Sequence, residues 1–183
     1  WAQQNACQSL LARHDYHQYE ISAYSQQGRM CRHNLNYWQF GDYIGIGAGA
    51  HGKITLGGEN RVLRRSRQRQ PLAYLRDQGR DSVARVSELG ASDLIFEFML
   101  NTLRLRDGFE SKLFCENTGL SLSQILPLLN QAKARGLLEF NQQHIRPSAL
   151  GFRFLNDLQT LFLNSDSSEN QPFFESGSEI IHS

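Results

Sequence analysis

Cysteine is scarce in this chain and poorly placed for chemistry. Cys7, Cys31 and Cys115 are the whole complement. They are odd in number, no two stand at CxxC spacing, and no trio resembles an iron–sulfur ligand set. Unbridged thiols in a reducing compartment are the ordinary reading, which points to the cytoplasm. Long apolar runs are missing as well. None approaches the roughly 18 residues that span a bilayer, so no membrane-crossing helix is expected. The N-terminus lacks a basic region followed by an apolar stretch, so no secretory signal is expected there. Its first residue is Trp1 rather than Met, as a piece of a longer protein would have it. Charge of one sign is also absent: a net charge of +1 gives no global pull toward nucleic acid or anionic membrane.

What is present fits an ordinary globular protein, with 40% hydrophobic and 20% charged residues in 183. That length allows one large domain or two small ones. Residues 1–18 read as the end of a helix, with Ala6, Leu10 and Leu11 at helical spacing. Residues 18–24 alternate and are rich in β-formers, which predicts a strand, and residues 42–50 predict a second, buried one. A hairpin follows over 53–56 and 61–65, joined by Gly57, Gly58, Glu59 and Asn60. These strands are too few to close a sheet, so this half reads as the tail of a larger α/β barrel. Residues 61–80 carry seven arginines against a single aspartate. Two readings are open for that stripe: a solvated connector, or a binding surface for phosphate or carboxylate groups, porphyrin propionates included.

Beyond residue 92 the pattern turns helical. Residues 93–106 are apolar nearly all round and predict a central helix. A short helix over 109–117 ends at Gly119. Ser121 with Gln124 has the form of a capping box for a helix running to Arg135, with Pro127 marking either a kink or a later start. A small hairpin over 137–146 follows. Ser148 then caps a last amphipathic helix with Leu155, Leu158 and Phe162 on one face. This is the element order of a winged helix. Residues 164–183 hold four acidic residues and no Lys or Arg, the composition of a disordered tail.

The most informative stretch joins His33, Asn34, Tyr37 and Trp38 to the run Gly45, Gly47, Gly49, Ala50, His51. It sets an imidazole, an amide and two aromatics just ahead of the strand-like segment. The glycines would end that strand where backbone can approach a ligand closely. A flat, partly apolar, iron-bearing ligand such as haem suits such a surface, because imidazole ligates haem iron and aromatics stack on a porphyrin face. Taken alone, the same residues also suit a packed, hydrogen-bonded histidine and glycines needed only for close packing.

The residues Tyr19 to Tyr24, the HNxxYW motif at His33, Asn34, Tyr37 and Trp38, and the glycine run through His51 and Gly52 closely resemble the HemW haem chaperones. These form a family of the radical S-adenosylmethionine superfamily, long labelled oxygen-independent coproporphyrinogen III oxidase-like. The resemblance implies an α/β fold: the last strands and helices of a radical-SAM barrel, then a winged-helix-like helical domain. It divides the chain into residues 1–80 (barrel strands, hairpin and basic connector), residues 81–163 (HemN-type C-terminal domain) and the tail 164–183. It implies that His33 binds haem and meets its iron, with Tyr37 as the other candidate for the iron, and that Asn34 and Trp38 complete the motif. Gly47, Gly49, Ala50 and His51 would line the S-adenosylmethionine or substrate side. The [4Fe–4S] cluster and S-adenosylmethionine belong to the full-length family protein, whose CxxxCxxC loop this chain lacks.

The implied function is haem delivery to respiratory proteins at the membrane. A radical-SAM oxidase of the coproporphyrinogen type is the alternative, and this chain would be inactive as one. The related oxidase carries an apolar residue where His51 stands, which favours the chaperone. A nucleic-acid-binding winged helix is the third reading, and a weak one, since residues 121–136 offer only Lys133 and Arg135. A cut barrel would expose an unpaired sheet edge, so a homodimer is a further expectation.

Overall fold

A computed structural model of the chain describes residues 2–76 and 83–163. Helix α1 (Ala2–Arg13) opens it and buries none of its residues. The strand expected over 18–24 is instead two short ones, β1 (His17–Glu20) and β2 (Ala23–Ser25), paired antiparallel around a tight turn. Side chains clamp that turn. Gln18 Nε2 donates to the Ile21 carbonyl at 2.9 Å, and Ser22 Oγ donates to the buried Glu20 carboxylate at 2.8 Å.

Helix α2 (Arg32–Trp38) carries the motif residues. It ends on Phe40, whose φ of +59° is rare for a bulky side chain. Two bonds close that end: Phe40 N–H to the Tyr37 carbonyl at 3.0 Å and Gly41 N–H to the Asn36 carbonyl at 2.7 Å. Burial holds Phe40 in this conformation. Its ring is 2% exposed, packs edge-on against Phe98 at 5.5 Å, and has Lys53 Nζ 4.2 Å from its centroid.

Residues 42–50 are not the buried strand that was expected. They run as an irregular loop with one isolated β-bridge to the neighbouring sheet, Tyr43 to Lys53. Ile44 and Ile46 are 75% and 84% exposed. Glycine at every second position leaves one side of such a strand nothing to pack, and the positive φ of Gly47 and Gly49 breaks its pleat. The glycine run therefore precedes a strand rather than ending one.

Next come β3 (His51–Leu56), β4 (Arg61–Arg67), helix α3 (Pro71–Arg76) and β5 (Val83–Glu88), with the strands in the antiparallel order β3-β4-β5. The 53–56/61–65 hairpin is present and two residues longer at its open end. Two expectations change here. The arginine stripe is not a loose connector throughout, since β4 occupies its first part. The boundary expected between residues 80 and 81 lies outside the described residues, and the strands on its two sides share one sheet, with β5 paired to β4 from Leu63–Glu88 to Arg67–Val83. All strand pairs among the described residues are antiparallel, so the parallel strands of a barrel tail are not found there.

The helical part follows its sequence pattern more closely. Helix α4 (Ala91–Thr102) buries Leu94, Phe98, Met99 and Thr102. After the short strand β6 (Phe109–Glu110) come α5 (Ser111–Thr118), a 3-10 turn and α6 (Leu126–Ala134), which starts late because Pro127 takes its first turn. Strands β7 (Leu138–Phe140) and β8 (His144–Pro147) complete a sheet ordered β6-β8-β7. Ser148 Oγ accepts from Gly151 N–H at 3.0 Å and caps α7 (Ala149–Arg153). A break at Phe154 then starts a second helix, α8 (Leu155–Thr160), where a single helix was expected. The expected tail, residues 164–183, lies outside the described residues.

One core serves both halves. Phe98 is fully buried and meets Phe40, Phe109 and Phe114 edge-on at 5.5, 5.1 and 5.2 Å, while Val62 of β4 joins the same cluster. Phe98→Ala is expected to cost about 3–5 kcal/mol of unfolding free energy, read by chemical denaturation.

An ion pair between a buried lysine and an exposed aspartate fixes the start of the loop to the sheet. Lys53 Nζ, its side chain 2% exposed, bonds Asp42 Oδ1 at 2.9 Å and Thr55 Oγ1 at 3.1 Å. Thr55 N–H and hydroxyl donate to the same carboxylate, both at 2.8 Å. Burial alone would raise the Asp42 pKa, but these donors overcome it and hold the carboxyl below its ordinary value. Burial also pushes the Lys53 ammonium below its ordinary value, partly offset by Asp42. A lowered folded-state pKa at Asp42 means stability that is present above the unfolded pKa and lost as pH falls through the folded one. Asp42→Asn is therefore expected to flatten the acid limb of the stability–pH curve. Lys53→Met is expected to move the Asp42 titration upward, read by carboxyl NMR.

Candidate functional site

Helical spacing sorts the four motif residues of α2 onto two faces. His33 and Tyr37, four apart, stand on the outer one. His33 is exposed, and its ring meets Tyr37 edge-on at 4.9 Å and 77°. Tyr37 in turn packs on Tyr43 at 4.7 Å. Arg64 hydrogen-bonds the Tyr43 hydroxyl and pairs with Glu97 of α4, with Nε to Oε1 at 3.3 Å. The aromatic row His33–Tyr37–Tyr43 is thus tied at its far end to the central helix.

Asn34 and Trp38 take the inner face. Asn34 Nδ2 donates to the Tyr19 hydroxyl at 3.2 Å, and the Arg104 guanidinium lies 4.1 Å over the Trp38 ring. Arg104 also pairs with the buried Glu20 at 3.2 Å. These two motif residues brace α2 from behind rather than joining His33 at one surface. Trp38 Nε1 is buried with no hydrogen-bond partner. Tyr43, Arg64, Glu97 and Arg104 complete the site although the sequence did not single them out. Arg104 stands 66 to 71 residues from the motif positions, and no local signal links it to them.

The glycine loop forms a second zone. A Cβ on Gly45 would lie 2.1 Å from the His51 carbonyl, so only glycine permits that approach. Gly47, at φ +106°, donates its N–H to the Tyr74 hydroxyl at 3.2 Å. Gly49 N–H donates to the Gln68 carbonyl at 2.8 Å, and the Ala50 carbonyl accepts from Arg67 N–H at 2.8 Å. These backbone groups are engaged within the chain. His51 begins β3 opposite Ser66 and lines a cavity of about 340 Å³ together with Arg67 and Arg69. A smaller cavity of about 50 Å³ lies between Tyr43, Gly45, Ile54 and Arg67. Tyr43 touches the aromatic row and lines the small cavity, and Arg67 lines both, so the two zones adjoin.

An exposed imidazole beside a row of aromatics suits one axial ligand of a haem and a flank for its ring. An iron–sulfur cluster does not fit. No three His, Cys, Asp or Glu side chains converge among the described residues, and none of the three exposed cysteines is bridged. No helix among the described residues is long and apolar enough to cross a membrane.

Known proteins align with both halves of the chain. The HemN C-terminal domain family matches residues 89–154. The heme chaperone HemW of Escherichia coli is 42% identical over 154 residues, covering 84% of this chain and 40% of the relative. HemW of Haemophilus influenzae is 38% identical over 86% of this chain and 40% of its own length, and HemW of Bacillus subtilis is 31% identical over 85% and 40%. Among solved structures, the coproporphyrinogen III oxidase HemN of E. coli, a radical SAM enzyme, superposes with a TM-score of 0.58 at 14% identity, over 87% of this chain and 39% of that one. That likeness concerns the fold. The chain is therefore similar to the HemW heme chaperones, carries a HemN C-terminal domain over residues 89–154, and spans about 40% of the length of the HemW proteins it matches.

Proposed function

We propose that the chain is the haem-presenting part of a haem chaperone, with His33 as iron ligand and Tyr37 flanking the porphyrin. The observation that supports this reading is the outward row His33–Tyr37–Tyr43 on a helix braced from behind by Tyr19 and Arg104. Bound haem supplies an iron centre and a flat aromatic ring. His33 offers that iron one imidazole, and Asn34 and Trp38 fix the rotation of α2 so that the imidazole stays outward. A single ligand on an open surface leaves the other side of the porphyrin reachable by a second protein, which suits delivery better than storage. The receiving proteins, in this reading, are haem-accepting respiratory proteins at the membrane.

In the same reading the helical part is a winged helix. It follows the order helix, strand, helix, helix, strand, strand from α4 to β8. The working division of the chain is a sheet-bearing part holding the haem residues and a HemN-type domain that supports it. S-adenosylmethionine and a [4Fe–4S] cluster belong to the remaining length of a HemW-sized protein. Gly47, Gly49, Ala50 and His51 face that side of the site.

Titration of the chain with haem tests the reading. Wild type is expected to shift the Soret band, and His33→Ala to weaken binding by about tenfold or more, the loss of one good ligand bond. Tyr37→Ala should keep the histidine-ligated spectrum while lowering affinity. Identical Soret responses in wild type and His33→Ala would remove His33 from the site.

A further inference from the structure

The arginine stripe divides by position. Arg61 bonds Glu59 and Glu88, at 2.7 and 2.9 Å, and Arg64 is held by Glu97 and Tyr43. Arg65 and Arg67 stand two apart on β4, which turns their side chains to one face of the strand, and Arg69 follows in a bend two residues past its end. Arg65 and Arg67 line the smaller cavity, and Arg67 and Arg69 line the larger together with Ser66, Gln68 and Gln70. Three guanidinium groups therefore follow one another along the same groove. Same-face neighbours on a strand have Cα atoms about 6–7 Å apart.

The rest of the smaller cavity's lining is mostly apolar or glycine, with Ile44, Gly45, Gly52 and Ile54, whereas the larger cavity adds Ser66, Gln68 and Gln70 beside Ala73 of α3. Backbone bonds hold the arginine-bearing segment in place: Arg67 N–H to Ala50 O and Gly49 N–H to Gln68 O, both at 2.8 Å, and Arg67 Nε to Gly45 O at 3.3 Å. His51, Arg67 and Arg69 also have partners within the chain, so an incoming anion would join those contacts or exchange with them. A groove with isoleucine and glycine beside spaced guanidiniums matches an amphipathic molecule with an apolar body and an anionic edge.

We infer that Arg65, Arg67 and Arg69 form a carboxylate-recognition ridge that takes a small apolar ligand bearing two carboxylate arms. Guanidinium pairs with carboxylate in a planar, two-bond fork, and alternate strand positions supply two such forks side by side. The larger cavity, about 340 Å³, lies at the low end of the volumes that hold small ligands. It accepts an edge and its arms, while the body of the ligand lies over the smaller cavity toward Tyr43. The identity of that ligand rests on the haem reading: the arms would be the two propionates of the same tetrapyrrole whose iron His33 meets.

The test uses the whole 183-residue chain and a metal-free porphyrin, so that no iron ligation contributes. Protoporphyrin IX and its dimethyl ester are titrated separately by fluorescence, with Arg Nε–H resonances followed by NMR. Wild type is expected to bind the diacid about tenfold more tightly than the ester, a usual difference for charge-assisted against neutral contacts. The double variant Arg65→Gln/Arg69→Gln leaves the Arg67 bond to the loop in place and is expected to bring the two affinities together. Arg69→Lys should restore part of the preference. Equal binding of acid and ester by wild type, binding of neither, or an undiminished preference in the double variant would each overturn the ridge. Inorganic pyrophosphate moving the Arg69 resonance at lower concentration than glutarate would also overturn it, in favour of a phosphate ligand. His33→Ala is expected to leave the acid preference intact. Failure of the Soret experiment therefore sinks the haem reading alone, and loss of the acid–ester difference sinks the ridge alone.

Discussion

The turn at Phe40 holds the site to the rest of the molecule. A bulky residue in the left-handed region is unfavourable by itself, and here the conformation persists because the ring is sealed between Phe98 and the Lys53 ammonium. That one placement sets three things together: where α2 stops, where the glycine loop begins, and how far the loop lies from the central helix. The Asp42–Lys53–Thr55 cluster then fastens the loop to β3 two residues later. Loss of the turn would free the motif helix from the core, although no motif residue would have changed.

The site itself shows a division of labour written into helical geometry. Residues four apart share a face, so the motif supplies one reactive pair and one structural pair from a single turn and a half of helix. Asn34 and Trp38 reach Tyr19 and Arg104, and through Arg104 the buried Glu20. The same carboxylate accepts from Ser22 in the β1–β2 turn. A short hairpin near the start of the chain and a segment just after α4 therefore meet behind the motif helix. Polar groups with little water around them hold direction well, because each unmade bond costs more there than at a surface.

Much of this was readable beforehand, and the failures have physical causes. The central helix, the β3–β4 hairpin, the Ser148 cap and the β7–β8 pair follow from apolar spacing and turn residues. The glycine run misled because alternation of small and apolar residues resembles a strand, whereas a strand needs side chains to pack on both faces. Residues 18–24 misled because β-propensity cannot register a turn held by Gln18, Glu20 and Ser22 side chains. In the arginine stripe, the connector reading suited composition but missed period two, which separates Arg65, Arg67 and Arg69 from their neighbours. His33 and Tyr37 could be paired from spacing alone. Tyr43, Arg64, Glu97 and Arg104 could not, since only tertiary packing brings them near.

Strand β5 crosses from the first half of the chain into the second, and the family match begins one residue after it ends, at residue 89. The stretch that evolution keeps recognisable as a HemN C-terminal domain is thus smaller than the body that folds around Phe98. Cutting at the edge of that domain match would leave β4 and β5 paired but remove Val62 and Phe40 from the core they share with α4. For this molecule the natural seam is mechanical rather than genealogical, and it does not run where the alignment stops.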